Sequence, residues 1–91
     1  MPDSYSDKNS TKDIMKYVMN QQHVSKAELA RRVGKAPASV SGNLMGEGSM
    51  RCDTLCEYLR ALGCELIIRC PEMKSAEWKV DFAKEVKKNA D

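Results

Sequence analysis

The chain has 91 residues, 42% of them hydrophobic and 31% charged, with 15 Lys and Arg against 13 Asp and Glu for a net charge of +2. That length holds one small domain with a modest core, and the composition excludes a disordered chain, a histone-like basic tail and an acidic solvating segment. No apolar run approaches the roughly 20 residues that span a bilayer, and the opening Met1-Pro2-Asp3-Ser4-Tyr5-Ser6-Asp7 lacks an apolar signal region, so a cytoplasmic protein with no membrane partner is expected.

Residues 1–10 read as a disordered tail of Pro, Ser, Asp and Asn. Ser10 or Thr11 can cap a helix that runs to about Gln22, with Ile14, Met15, Val18 and Met19 as its apolar stripe, Tyr17 at its edge and Asp13 near its positive end. Ser25 followed by Glu28 is a capping box for a second helix, which turns inward Leu29, Ala30 and Val33 and ends at Gly34. A third helix starts at about Pro37, where the missing N–H costs nothing, and is anchored by Val40 and Leu44. Gly46 to Ser49 is a loop. From about Arg51 to Leu62 a longer helix places Cys52, Leu55, Cys56, Leu59 and Leu62 at core spacing, closed by Gly63.

The period then changes. Glu65 to Cys70 is short, β-branched and bounded by Gly63 and Pro71, which predicts a strand with Leu66, Ile68 and Cys70 on one face and Ile67 and Arg69 on the other. A lone strand needs a partner. Either a two-fold mate supplies it, or Glu77 to Phe82 does, as a second strand with Trp78, Val80 and Phe82 on one face; a dimer can also use both. Residues 83–91 are a helical or frayed tail.

The four cysteines, Cys52, Cys56, Cys64 and Cys70, lack the repeated close spacing of a zinc site and read as reduced, small hydrophobes. His23 is the single histidine and stands at a helix end. No acid–base pair, phosphate-binding glycine loop or metal cluster is legible, so no enzyme, cofactor or metal is expected; Asp53 and Glu57 read as a solvated face with Arg60. The positive excess is local. Residues 24–51 hold Lys26, Arg31, Arg32, Lys35 and Arg51 against Glu28 and Glu47, while the flanking segments are near neutral. A concentrated positive patch is what phosphate binding uses, and a solvated helix face is the alternative.

The pattern Ser25-x-x-x-Leu29-Ala30-x-x-x-Gly34, then Val40-Ser41, Gly46, Asp53-Thr54-Leu55 and Ala61-Leu62-Gly63 resembles the Cro/repressor-like (XRE-type) helix-turn-helix family over about residues 12–70. The continuation Leu62 to Arg69 is similar to small phage regulators and antitoxins, some of which pair this strand across a dimer. The resemblance implies a mainly α fold: a lambda-repressor-like helix-turn-helix bundle of four to five helices over 11–63, with a C-terminal strand or hairpin over 64–82 that pairs across a dimer. It implies phosphate contacts from Ser25, Lys26, Lys35, Ser49 and Arg51, a base-facing surface of Ala38, Ser39, Ser41, Gly42 and Asn43, and dimerisation through Leu66, Ile67, Ile68, Arg69 and Cys70. The function it implies is that of a homodimeric transcriptional regulator on a palindromic operator, with half-sites about 34 Å apart. The third helix departs from the family in having no Arg, Lys or Gln, the common base readers. The competing reading keeps the scaffold and changes the partner: a protein-interaction module, such as a toxin-neutralising antitoxin or a phage-encoded inhibitor.

Overall fold

Ser10 opens the first helix because its Oγ accepts the Asp13 N–H at 3.1 Å, satisfying one of the free donors of the first turn. The computed structural model describes residues 10–85, so the expectations for the tail at 1–9 and for 86–91 lie outside the described residues. Helix α1 spans Thr11–Gln22, α2 Lys26–Val33, α3 Pro37–Met45 and α4 Cys52–Ala61. Strand β1 (Ile67–Cys70) and strand β2 (Ala76–Lys79) follow, and a short α5 (Phe82–Glu85) ends the described chain. The architecture is a mainly helical bundle with one antiparallel hairpin.

The local signals act where the sequence puts them. Ser25 Oγ accepts the Glu28 N–H at 3.0 Å. The other half of the expected capping box is missing, because the Glu28 carboxylate turns to Arg31 and Arg32 instead. Gly34 takes φ 70° and ψ 34°, the left-handed conformation in which a side chain is strained. Lys35 N–H then closes on the Ala30 carbonyl at 2.9 Å, and the chain enters α3 after one more residue. Ala36 offers α3 no side-chain cap, and Pro37 occupies its first turn.

Packing joins α2 to α3 and α4, α1 to α3, and α4 to α5. The core is Met15 and Met19 from α1, Val24, Leu29 and Ala30, Val40 and Leu44 from α3, and Tyr58, Leu59 and Leu62 around α4. Burying a large apolar side chain contributes roughly 1.5–3 kcal/mol, so this set supplies the main drive to fold. Tyr58 is fully buried, although the sequence reading did not place it in the core. Conversely, Cys52 is exposed although its spacing predicts burial, and Ile14 lies outside the stripe formed by Met15 and Met19. Cys52 shares a face with Cys56 but is the first residue of α4, one turn before the buried position.

The helix ends are closed from a distance. Gln22 Nε2 donates to the Leu62 carbonyl at 2.9 Å and Arg32 donates to the Ala61 carbonyl at 3.2 Å, so α1 and α2 together cap α4. Lys12 does the same for α3, donating to the carbonyl of its capping residue Gly46 at 2.6 Å.

The hairpin is formed within the chain, one of the two pairings the strand pattern allowed. Its register places Ile67 opposite Lys79, Ile68 opposite Trp78, Arg69 opposite Glu77 and Cys70 opposite Ala76. The expected second strand, 77–82, is corrected to 76–79. Val80 N–H still bonds to the Leu66 carbonyl, but Phe82 starts α5 and packs against the core instead of extending the face of Trp78. A 3-10 turn at Pro71–Met73 and two left-handed residues, Lys74 and Ser75 at φ 59°, connect the strands.

The two glycines at the end of α3 give opposite expectations. A Cβ on Gly42 meets nothing within 4 Å, whereas a Cβ on Gly46 would lie 2.5 Å from the Gly42 carbonyl oxygen. Gly42→Ala is expected to stabilise by about 1 kcal/mol, and Gly46→Ala to destabilise by about 1–3 kcal/mol. Urea denaturation of the two variants measures both signs.

Candidate functional site

Ser25 and Lys26 stand at the N-terminus of α2, where N–H groups without helical partners and the helix dipole favour an anion. Both are exposed, and Lys26 makes no ion pair among the described residues. Beside them α1 contributes Lys16 and Asn20. With Ser25 and Lys26 these line a shallow groove of about 250 Å³ floored by Met19, Val24 and Leu44. Neither Lys16 nor Asn20 was singled out in the sequence. The available signal was their position: each follows one of the buried residues Met15 and Met19 on α1, which puts both at the border of its apolar stripe.

The other positive groups are less free. Glu28 accepts Arg31 and Arg32 together, the second at 3.0 Å. Lys35 pairs with Glu57 at 3.4 Å, so Glu57 on α4 reaches across to the α2–α3 turn and neutralises its lysine. Arg51 pairs with Asp53 at 3.1 Å but keeps most of its side chain in solvent. Ser49 is exposed in the loop before it. The local excess of +3 therefore overstates the unpaired positive charge, which concentrates at Lys26.

Helix α3 has no ionisable residue. Of the expected outward surface, Ala38, Ser39 and Gly42 are exposed, while Ser41 and Asn43 are half-buried. Asn43 departs from the expectation of a free amide, because its Nδ2 donates to the Tyr58 hydroxyl at 2.6 Å. Tyr58 is fully buried on α4, so this bond ties α3 to α4 through the core. The amide therefore satisfies a buried hydroxyl.

The C-terminal group is apolar on one face and charged on the other. Ile68 and Trp78 face each other across the strands and are 58% and 50% exposed. Ile67 shares the opposite face with Arg69, Glu77 and Lys79, and Lys79 pairs with Glu65 at 3.3 Å. Leu66 packs on the helical core, and Cys70 is half-buried.

Among the described residues no group of three or more His, Cys, Asp or Glu is placed to hold a metal ion, and no helix is long and apolar enough to cross a membrane. All four cysteines are free thiols. Burial pushes the Cys56 thiol up to about 11, with the neighbouring Cys52 adding to the effect, and burial also raises Cys64. Such thiols stay protonated and unreactive at neutral pH. His23 closes α1 in a left-handed conformation and is exposed.

Two outcomes follow from this geometry. Tyr58→Phe leaves a half-exposed amide that water can satisfy, and its expected cost is about 1 kcal/mol; Asn43→Ala strands a buried hydroxyl and costs about 1–3 kcal/mol. Chemical denaturation of both variants tests the order. With an alkylating reagent Cys52 is expected to react in the native state and Cys56 only on unfolding, which peptide mass mapping resolves. No family model, no curated protein and no solved structure matches the chain.

Proposed function

We propose that the protein is a helix-turn-helix DNA-binding regulator of the Cro/repressor-like type that works as a homodimer. The observation that carries the reading is the arrangement around α2 and α3. An anion-ready helix start with unpaired Lys26 lies at one end of α2, and an exposed, uncharged face of α3 follows a left-handed turn at Gly34. Phosphate contacts from Ser25 and Lys26, joined by Lys16 and Asn20, fix the helix pair on the duplex. Ser49 and Arg51 approach the backbone from the loop after α3. Readout falls to Ala38, Ser39, Ser41 and Gly42, where a methyl group can meet a thymine methyl and a hydroxyl can bond to either kind of base edge. Dimerisation uses the hairpin, since a two-stranded sheet with Ile68 and Trp78 in water is marginal alone.

A second reading is supported by two observations. Asn43 is committed to Tyr58, so α3 offers few base readers, while the hairpin offers an apolar face. On this reading the scaffold is a protein-interaction module, with a toxin or another protein as partner. No catalytic role is proposed.

Fluorescence anisotropy with a selected duplex pool and with the DNA flanking the gene, at two salt concentrations, separates the readings. Steep loss of affinity with salt is expected for the regulator, and flat signals at low salt would favour the interaction module. Lys26→Ala is expected to weaken binding to all sequences and to reduce the salt slope by about 1. Lys35→Ala should change it less, because Glu57 already neutralises Lys35. Ile68→Asp is expected to turn a dimer into a monomer in sedimentation; an unchanged dimer would place the interface elsewhere.

A further inference from the structure

Lys12 sits in the first turn of α1, far in sequence from the loop that follows α3. Its half-buried side chain nonetheless ends on that loop, where the ammonium donates to the Gly46 carbonyl at 2.6 Å and to the Gly48 carbonyl at 2.5 Å. Among the described residues the loop has one further backbone bond, Gly46 N–H to Gly42 O at 2.8 Å, and its residues 46–49 are exposed. Two glycines give this stretch backbone freedom. Met50 packs against the helical core at the far end of the loop, and Lys12 supplies a long-range polar restraint on the exposed residues 46–49 between that anchor and α3.

We propose that Lys12 is a positioning residue. It does not touch a phosphate itself but fixes the 46–50 loop so that Ser49 and Arg51 meet the DNA backbone in register. The proposal rests on the DNA-binding reading above. Its physical basis is independent of that reading. The last carbonyls of a helix lack intrahelical donors and carry partial negative charge. A lysine ammonium has three donors and no acceptor, so one group can satisfy two carbonyls at once. Binding these carbonyls uses the ammonium's donors, which distinguishes Lys12 from Lys26, whose ammonium has no ion-pair partner among the described residues. Arg51 in turn follows the loop directly and caps α4, so a displaced loop moves the start of α4 and the guanidinium together.

The test is a pair of double-variant cycles with Lys12→Met, which keeps the apolar stem and removes the donors. Affinity for the selected duplex is measured against salt for Lys12→Met, Arg51→Ala, Lys26→Ala and the two pairs containing Lys12→Met. Lys12→Met alone is expected to lower the slope of log affinity against log salt by about 1, the share of one phosphate contact. In the Arg51→Ala background it is expected to leave the slope unchanged and to lower affinity only by the share of the uncharged Ser49 contact, whereas with Lys26→Ala the two losses add. Additive losses with Arg51→Ala would make Lys12 a phosphate contact in its own right and overturn the proposal, as would an unaltered affinity for Lys12→Met. Lys12→Gln, which keeps an N–H donor without the charge, guards against misfolding of the first variant and should fall between it and the wild type.

Amide resonances of residues 46–50 in DNA-free protein supply a readout that does not depend on binding. They are expected to shift in Lys12→Met, and the Gly46 amide, which is bonded to the Gly42 carbonyl, to lose exchange protection, while the α2 amides stay in place. If the wild type binds no duplex, the regulatory reading falls and with it the role assigned to Ser49 and Arg51. Unchanged loop amides in Lys12→Met, by contrast, remove the anchoring itself whether or not DNA binds.

Discussion

The fully buried hydroxyl of Tyr58 constrains the arrangement of the helices more than any apolar contact does. A hydrophobic core tolerates small slides between helices, because dispersion and burial are not directional. A hydroxyl with no access to water does not, since leaving it unpaired costs more than the bond itself gains. Asn43 meets it at 2.6 Å, which sets the rotation and height of α3 against α4. Val40 and Leu44, on the same helix, then have one way to enter the core. The orientation of the outward face of α3 follows from that of its inward face.

The same logic runs through the helix ends. Each α-helix leaves carbonyls that its own backbone cannot satisfy. Here α4 is closed by Gln22 and Arg32, and α3 by Lys12. The donors come from elements 29 to 40 residues away in sequence. These bonds fasten the ends of the bundle while the apolar core fills its middle. Arg32 also shows why counting charges misleads. It is divided between Glu28 and a carbonyl, so it strengthens the fold and adds little to the field outside it.

Much of the helical framework was legible because its signals are local. Ser10, Ser25, Gly34, Pro37 and Gly63 mark ends through their own backbone or side-chain chemistry, and the structure uses all five. Where pairing depends on distant groups, the sequence was less informative. Tyr58 stands at helical spacing from Leu55 and Leu62, so its burial is consistent with the period of α4; what no periodicity reveals is that Asn43 partners its hydroxyl. Cys52 has the angular position of a core residue but stands one turn too early. Phe82 continues the alternation of Trp78 and Val80, yet the helical core offers it a better apolar contact than the open face of the hairpin. Of the expected site residues, Ser25 was legible as a helix cap, while its phosphate role and that of Lys26 were implied by the family resemblance. The neighbours Lys16 and Asn20, the pairing of Lys35 and the commitment of Asn43 arise only when α1, α3 and α4 meet.

Among the described residues, helix α3 is the one long helix without an ionisable side chain. Whatever it meets, its surface keeps one protonation state across the whole pH range in which the fold survives. Under the proposed reading, discrimination and attraction then reside in separate parts of the molecule. Long-range attraction comes from Lys26 and its neighbours and fades with ionic strength, whereas the fit of α3 is a matter of shape and short contacts that electrolyte leaves alone. A change of preferred partner can therefore evolve by exchanging small residues on α3 without retuning the strength of the general attraction.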